Sequence, residues 1–320
     1  MSRVVVLTTG GTIASWPGAD GSLVAAEGGA ALVERVLDAT PGPRPKLEVR
    51  EVMRRGSYAL DHADLRRIAL ATHHALSDDT VAGVVVTHGT DTLEETAALL
   101  AVVHDDPRPV VLTGAQVSAD QAQSDGPSNL VDAVRTASDP NRRGQGVLVA
   151  FGGQVLPAWG LSKSHTTALA AFVSATPAPR RPTRLELPGP SFDDVLVPLV
   201  SSHVGADGSI MERVVAEGAD GVVLVGTGLG NATPLLTAAV ARSVAAGTAV
   251  GVSTRVWQGP LQPVYGGGGG ADLVAAGAVL LSGVPASQAR IVTALVVAGC
   301  PAKERITRLR DHARTWVGDD

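Results

Sequence analysis

The chain has 320 residues, of which 45% are hydrophobic and 18% are charged, so it can form one large or two ordinary domains with a buried core. Its formal net charge is −5 and no basic run accompanies it, which argues against nucleic acid and anionic membrane surfaces as partners. The single cysteine, Cys300, excludes an internal disulfide and a cysteine zinc cluster, and no uninterrupted apolar stretch reaches the ~20 residues of a membrane span.

The first predicted element is a strand that leads into a glycine turn. Residues 4–7 are Val-Val-Val-Leu, an apolar run typical of a parallel strand buried on both faces. Gly10 and Gly11 then allow a sharp turn and the close approach of another group, and Thr12 follows. Ligands bind at the carboxyl ends of strands in an open α/β sheet, so Thr12 is a candidate functional residue. A plain tight turn and a phosphate-binding loop are the alternatives for this motif by itself.

The next segment, residues 15–29, is rich in turn-forming residues and shows no hydrophobic period. Loops of this length inside a domain are uncommon unless they have a function. We therefore expect a mobile loop over about residues 13–29 that acts as a lid, the alternative being a plain surface loop. Three elements are expected after it: a helix over residues 30–39, a strand from residue 47 to about 52 that delivers Ser57 and Tyr58 to the same edge, and a helix capped by Asp61.

A second strong signal follows a second apolar run. Residues 83–86 predict a buried strand, residues 88–91 (His-Gly-Thr-Asp) a polar turn, and Thr92 with Glu95 a capping box that opens a helix. The same strand-and-turn pattern recurs at residues 109–115. Repeated βα units imply a parallel sheet with right-handed crossovers, whose turns collect along one edge. The residues expected to converge at that edge are Thr12, Ser57, Thr90, Asp91 and Ala115.

Lys163 stands between two serines, after a strand predicted at residues 146–151 and its hairpin partner at residues 154–159. It is one of three lysines in the chain. A lysine can lose its proton when buried, whereas an arginine cannot, so Lys163 is a candidate base. A surface lysine in a loop is the alternative.

Prolines crowd into residues 176–190 without any hydrophobic period, which predicts a linker. A second set of βα units follows, with a glycine-rich turn that ends at Asn231, five consecutive glycines at residues 266–270, and helices at residues 285–298 and 302–316. The predicted fold class is therefore α/β, with mainly parallel sheets in a larger N-terminal domain, residues 1–190, and a smaller C-terminal domain, residues 191–320.

Hydroxyl, carboxylate and lysine side chains in turns are the parts needed for acyl transfer with a hydroxyl nucleophile. Lys163 can accept the proton of a threonine hydroxyl if the amine is neutral, and backbone N–H groups at the helix start after Thr90 can hold an oxyanion. Asp91 would bind a cationic group or orient the lysine. The eight histidines show no two-histidine motif beside an acid, so we expect no metal site.

Residues 9–14 (Thr-Gly-Gly-Thr-Ile-Ala) and 87–96 (Thr-His-Gly-Thr-Asp-Thr-Leu-Glu-Glu-Thr) resemble the two signature motifs of the bacterial-type L-asparaginases, a family that includes glutaminase-asparaginases. The resemblance covers nearly the whole chain. It implies hydrolysis of L-asparagine to L-aspartate and ammonia, by a homodimer or homotetramer in which the C-terminal domain contributes to a neighbour's site. No cofactor is expected. The lone cysteine and the strand predicted almost at the start lead us to expect a cytoplasmic protein.

The resemblance assigns the catalytic roles to four residues. Thr12 matches the nucleophile at the hinge of the lid, and Thr90, Asp91 and Lys163 match the second catalytic group. Which threonine attacks first is left open by the sequence, and we favour Thr12.

The resemblance also assigns residues to the substrate. Ser57 matches a residue that holds the α-carboxylate, and Asp91 also takes the α-ammonium. The Ala115 carbonyl lies near the leaving amide, and Asn231 is lent by the neighbouring subunit. The rest of the predicted substrate-binding set is Gly11, Tyr58 and Gly89.

Three positions depart from the family pattern. No tyrosine occurs in the lid, Tyr58 stands where a glutamine usually follows the carboxylate-binding serine, and the glutamate that a neighbouring subunit offers to the substrate ammonium falls in residues 266–270, which are all glycine. Losing that negative partner weakens ammonium recognition by on the order of a kcal/mol. We therefore predict a raised KM for asparagine, little glutaminase activity, or a shifted amide substrate.

Two other functions stay open at this stage. The first is a related amidohydrolase that acts on another amide, including a tRNA-dependent amidotransferase subunit, although the lack of basic patches argues against work on tRNA. The second is an amino-acid-binding protein that keeps the fold without catalysis, since a fold alone does not establish a function.

Overall fold

The computed structural model describes residues 3–38, 45–176 and 178–316. The chain forms two compact units, Met1–Ser174 and Ala175–Asp320, each with its own sheet and helices. Both main sheets are largely parallel, which confirms the predicted fold class of two α/β domains with the larger one first. The domain boundary that we place at residue 190, after a linker, stays a prediction. Residue 177 of that linker and residue 39 of the first predicted helix lie outside the described residues.

The first unit contains a central sheet and two small two-stranded sheets. Its described strands are β1 (Arg3–Gly10), β2 (Ser15–Pro17), β3 (Leu23–Ala25), β4 (Lys46–Arg55), β5 (Val81–Thr87), β6 (Val110–Thr113), β7 (Val147–Phe151), β8 (Gln154–Pro157), β9 (Leu161–Lys163) and β10 (Phe172–Ser174). The order across the central sheet is β4-β1-β5-β6-β7-β8, and all neighbours are parallel except β7 and β8. The antiparallel hairpin of β7 and β8 confirms the one predicted from residues 146–159.

The position of β1 explains why a site forms at its end. Residues 4–7 are fully buried, as a continuous apolar run in a doubly covered parallel sheet requires. From β1 the chain passes to β4 on one side and then to β5 on the other. The strand order therefore reverses at β1, and open α/β sheets bind ligands outside the carboxyl ends of strands at such a switch point.

Helices pack against the central sheet of the first unit. They are α1 (Gly29–Asp38), α2 (His62–Leu76), α3 (Leu93–Val103) and α4 (Gly126–Ser138). An apolar core joins α1 and α4 to strand residues that include Val6, Val85 and Val111, and α2 contacts α3. Asp61 caps α2 as predicted, because its carboxylate accepts a hydrogen bond from the Asp64 N–H at 2.9 Å.

The predicted irregular loop at residues 15–29 contains a hairpin instead. Strands β2 and β3 pair antiparallel, with Trp16 opposite Val24. A tight turn closes the hairpin, since the Gly18 N–H donates to the Ser22 carbonyl at 2.7 Å and the Ser22 N–H donates to Asp20 Oδ1 at 3.0 Å. Strands of three residues leave no readable apolar alternation, which is why no strand was predicted here. Closure of this hairpin as a lid stays a prediction.

The second unit repeats the βα pattern on a smaller scale. Its described strands are β11 (Leu199–Ser201), β12 (Gly221–Gly226), β13 (Ala249–Thr254) and β14 (Val279–Leu280), parallel in that order. Its described helices are α5 (Ser209–Ala216), α6 (Pro234–Ala245), α7 (Gly270–Ala275), α8 (Ala286–Ala298) and α9 (Arg305–Arg314). The last of the five glycines, Gly270, begins α7. In the described ranges, no helix combines the length and the apolar character needed to cross a membrane.

Candidate active site

Turns that follow four adjacent strands meet at the carboxyl edge of the first sheet. They carry Thr12 after β1, Ser57 after β4, Thr90 and Asp91 after β5, and Ala115 after β6. Glycines allow these turns to touch through their backbones. A Cβ atom on Gly11 would lie 2.4 Å from the Gly89 nitrogen, and one on Gly89 would lie 2.6 Å from Ser57 Oγ. Gly11 also has a φ of +80°, which favours glycine. Glycine at these positions therefore brings the turns into contact.

Thr12 begins a short 3-10 helix, Thr12–Ala14, directly after the glycine turn. The next two residues, Ile13 and Ala14, are buried in the apolar core and anchor this helix. The Ser15 hydroxyl donates to the Gly11 carbonyl at 2.9 Å and closes the turn. Within the described part of the chain, the hydroxyl of the half-buried Thr12 makes no hydrogen bond. It is therefore available to a bound molecule.

Thr90, Asp91 and Lys163 form one hydrogen-bonded group, although the lysine lies more than 70 positions along the chain. The Lys163 ammonium donates to Thr90 Oγ1 at 2.8 Å and to Asp91 Oδ1 at 3.1 Å. The Lys163 side chain is 17% exposed, whereas the Asp91 side chain is 57% exposed and is accessible to solvent. This geometry joins a hydroxyl, an ammonium group and a carboxylate.

The backbone of Lys163 is held from two sides. In β9 it pairs with Phe172 of β10, and its N–H donates to Glu94 Oε2 at 2.5 Å. Glu94 was not singled out by the sequence reasoning. An acidic residue in the first turn of a helix is favoured by the helix dipole wherever it occurs, so its position carried no specific signal.

Ser57 lies in a second short 3-10 helix, Ser57–Ala59, and is 3% exposed. Its hydroxyl accepts a hydrogen bond from the Asp91 N–H at 3.2 Å. The Thr92 hydroxyl donates to the Ser57 carbonyl at 2.8 Å, and no side-chain cap bond forms at Thr92. The predicted capping box is therefore wrong, because the hydroxyl joins two turns of the site instead. Tyr58, the next predicted residue, is 77% exposed.

The turn after β6 contributes a residue that was not predicted from the sequence. Ala115 is fully buried, and Gln116 after it accepts a hydrogen bond from the Thr90 hydroxyl at 3.0 Å. The signal that selected Ala115, its place directly after the end of β6, applies equally to Gln116. As the first polar side chain beyond that strand, Gln116 was the better candidate for contact with Thr90.

His88 is completely buried beneath the Thr90 turn. Burial lowers the pKa of His88 to about 4, so the imidazole is neutral at pH 7. Its Nδ1 lies 2.7 Å from the Gly89 carbonyl oxygen and its Nε2 lies 2.9 Å from Thr96 Oγ1. A carbonyl only accepts, so Nδ1 carries the proton and Nε2 accepts from the threonine hydroxyl. His88 thus supports the turn and has no free nitrogen for acid–base chemistry.

Asn231 belongs to the second unit. It closes the turn after β12, where its backbone exchanges two hydrogen bonds with Thr227, both 2.8 Å long. Its side-chain oxygen accepts from the Gly270 N–H at 2.9 Å, so the last residue of the glycine run holds this side chain. Across the described residues, no group of three or more histidine, cysteine, aspartate or glutamate side chains is placed to hold a metal ion.

Comparison with known proteins establishes the family. Residues 3–183 match the family model described as Asparaginase, N-terminal, and residues 196–309 match the Glutaminase/Asparaginase C-terminal domain. The chain belongs to the asparaginase family. This asparaginase-family hydrolase is 34% identical over 329 residues to a probable L-asparaginase of Deinococcus radiodurans, with 97% of each chain covered.

Other relatives agree with this assignment. An L-asparaginase 2 of Escherichia coli is 32% identical over 277 residues, which cover 80% of this chain and 78% of the relative. Among solved structures, a probable cytoplasmic L-asparaginase from Campylobacter jejuni has the same fold, with a TM-score of 0.81 over 99% of this chain and 100% of that one, at 22% identity.

Proposed function

We propose that this asparaginase-family hydrolase converts L-asparagine to L-aspartate and ammonia through an acyl-enzyme on a threonine. The observation that carries the proposal is the contact of the Lys163 ammonium with Thr90 Oγ1 at 2.8 Å and with Asp91 Oδ1 at 3.1 Å. A hydroxyl next to a lysine and a carboxylate can pass a proton during acyl transfer. The free hydroxyl of Thr12 at the neighbouring turn supplies a nucleophile.

In the proposed reaction, the Thr12 oxygen attacks the side-chain amide carbon of asparagine. The hydroxyl proton passes to the amine form of Lys163, directly or through Thr90, and then to the leaving nitrogen. The C–N bond breaks, ammonia leaves, and an ester to Thr12 remains. Water activated by the Thr90–Lys163 pair then hydrolyses that ester, which releases aspartate and restores the Thr12 hydroxyl.

The other predicted residues bind the substrate in this proposal. Ser57 holds the α-carboxylate through its hydroxyl, and the exposed carboxylate of Asp91 holds the α-ammonium. Backbone N–H groups of the Gly11 and Gly89 turns stabilise the oxyanion, because fixed donors at this position strengthen as charge develops. The Ala115 carbonyl accepts from the leaving amide. Tyr58 is placed at the solvent side of the substrate.

We also propose a homodimer or homotetramer, in which Asn231 completes the site of a neighbouring subunit. The C-terminal domain, residues 191–320, then serves a site other than its own. The hairpin within residues 13–29 closes over Thr12 as a lid. The substrate is a small molecule, nucleic acid and membranes are not partners, and the protein is cytoplasmic. Analytical ultracentrifugation tests the assembly, and a stable, fully active monomer would contradict it.

The test of the function is ammonia release from asparagine by the wild type and two variants. Thr12→Val and Lys163→Met should each lower kcat by about 10³-fold or more, because each removes a group that acts in the transition state. Matched controls are Thr183→Val and Lys303→Met, which make the same changes at exposed positions and should keep wild-type rates. Full activity in either site variant would contradict the assigned roles.

A panel of other amides separates the alternatives. A wild type that releases ammonia only from a different amide would be a related amidohydrolase, and one that binds asparagine without releasing ammonia would be a binding protein. The missing glutamate at residues 266–270 favours a raised KM, by about fivefold for the loss of roughly a kcal/mol of ammonium recognition. A sub-micromolar KM for free asparagine would contradict that expectation.

A further inference from the structure

Gln116 connects Thr90 to the segment that follows Lys163. Its side-chain oxygen Oε1 lies 3.0 Å from Thr90 Oγ1, and its side-chain nitrogen Nε2 lies 3.2 Å from the Thr166 carbonyl oxygen and 3.1 Å from that of Ala168. We infer that Gln116 is a positioning residue that fixes the direction of the Thr90 hydrogen bond, and thereby favours the ammonium form of Lys163. The inference rests on the proposed function and names a residue that tunes the same site.

The surrounding acceptors fix the orientation of the Gln116 amide. Both backbone oxygens near Nε2 can only accept, so the NH₂ group must face them and Oε1 must face Thr90. Oε1 also can only accept, so the Thr90 hydroxyl donates its proton to it. The Lys163 ammonium can only donate, so Thr90 Oγ1 accepts from it. With the lysine protonated, each hydrogen bond from Lys163 through Thr90 to Gln116 has one consistent donor and acceptor.

The backbone of Gln116 is rigidly supported as well. Its N–H lies 3.0 and 3.1 Å from the two carboxylate oxygens of Asp125, and the Val117 N–H donates to Asp125 Oδ1 at 2.9 Å. Asn129 donates to Asp125 Oδ2 and to the Gly114 carbonyl, each at 3.0 Å. Asp125 is 7% exposed. The supported backbone and the two carbonyl partners of Nε2 together hold the Gln116 amide beside Thr90.

Lys163 acts as a base towards Thr90 when the lone pair of its neutral amine accepts from the Thr90 hydroxyl. The hydroxyl must then turn away from Gln116 and leave Oε1 without its donor. Gln116 thus opposes the state in which the amine accepts the Thr90 proton and favours the one in which Lys163 donates to Thr90. The charged and titratable groups that face Lys163 are the carboxylates of Asp91 and Glu94, with His165 on the same segment. The two Gln116 variants leave the identity of these groups unchanged.

Two variants separate this role from simple packing. Gln116→Met keeps the length of the side chain but removes the acceptor, so the amine should form at lower pH. Gln116→Glu keeps an acceptor and adds a negative charge, so the amine should form at higher pH. We expect the pH at half-maximal kcat/KM to fall by about half a pH unit or more in the first variant and to rise in the second. Gln123→Met, an exposed glutamine nearby, is the matched control.

A second readout does not depend on activity. The chain has three lysines, so lysine labelled with ¹³C at Cε gives three signals, and Lys163→Met identifies the one from Lys163. The titration midpoint of that signal should move down in Gln116→Met and up in Gln116→Glu. Midpoints that stay at the wild-type value, or that move in the same direction in both variants, would overturn the inference. A wild type without ammonia release would contradict the proposed function alone, since the titration still tests Gln116.

Discussion

Gly89 lies where the turn after β5 closely approaches Ser57 of the turn after β4, and an alanine there tests whether that contact exists. A Cβ atom on Gly89 would lie 2.6 Å from Ser57 Oγ and 2.8 Å from Ser57 Cβ. Gly89 is not among the glycines with positive φ. Alanine can therefore adopt the same backbone conformation, and the conflict is with the Ser57 side chain.

The size of the effect follows from the overlap. The two distances are shorter than ordinary contact by roughly 0.6–0.8 Å, and forcing such an extra atom into a packed site costs about 1–3 kcal/mol. Replacing glycine by alanine returns about 0.4–1 kcal/mol through the unfolded chain. We expect Gly89→Ala to lower the free energy of unfolding by about 1–2 kcal/mol.

A double-mutant cycle with Ser57→Gly isolates the contact. Ser57→Gly removes both close atoms and leaves the Ser57 nitrogen, at 3.1 Å, as the nearest one. By itself it also breaks the bond from the Asp91 N–H, which is worth about 1 kcal/mol. In the double variant the alanine meets no side chain, so we expect stability close to that of Ser57→Gly alone and an interaction energy of about 1–2 kcal/mol.

The assay is urea unfolding of the four proteins at neutral pH, with Gly28→Ala as the control. A Cβ on Gly28 would meet only Glu51 Oε2, at an ordinary 3.7 Å, so the control should be more stable than the wild type by about 0.4–1 kcal/mol. Effects of Gly89→Ala and Ser57→Gly that simply add, to within about 0.5 kcal/mol, would refute the contact.

Two further outcomes are expected. Burial lowers the pKa of His312 to about 4, whereas an unfolded histidine titrates near 6.5. Between these two pH values the unfolded state therefore binds more protons than the folded state. The contribution of His312 to the free energy of unfolding falls as the pH drops from about 6.5 towards 4, by about 2 kcal/mol at pH 5. His312→Phe, which keeps a ring against Trp316, should lose less stability than the wild type between pH 7.5 and 5 in urea titrations, and equal losses would contradict the reasoning. Gly11→Ala should lower the thermal midpoint and the folded yield far more than Gly89→Ala. The φ of +80° at Gly11 is unfavourable for alanine, and a Cβ there would lie 2.4 Å from the Gly89 backbone nitrogen. An unchanged thermal midpoint would exclude that contact.

The long strands and the helices of the first unit were readable because their signals extend over many residues. The run at residues 4–7 is continuous and apolar, and its burial in the sheet agrees with that pattern. The hairpin of β2 and β3 was not readable, since three-residue strands give no periodicity and depend on the turn at Gly18. The two-residue strand β14 was not predicted for the same reason.

The site shows a similar division. The convergence of Thr90 and Asp91 with Lys163 follows from the rule that turns of a parallel sheet share one edge, together with the resemblance to a family. Hydrogen bonds between turns were not predictable, because they depend on the register of strands far apart in sequence. Thr92 shows this clearly: its local pattern favoured a helix cap, whereas its hydroxyl binds the Ser57 carbonyl.

The hydrogen bonds of the two threonines favour Thr12 as the residue that attacks first. The Thr90 oxygen accepts from Lys163, and its proton is given to Gln116, so this hydroxyl must break a bond before it can approach a carbonyl carbon. The Thr12 hydroxyl has no such bond among the described residues, and it stands on a glycine turn at the switch point of the sheet. An engaged hydroxyl suits the transfer of protons, and a free one suits attack. The contacts thus agree with the roles that we propose, in which Thr12 forms the ester and Thr90 exchanges protons with Lys163.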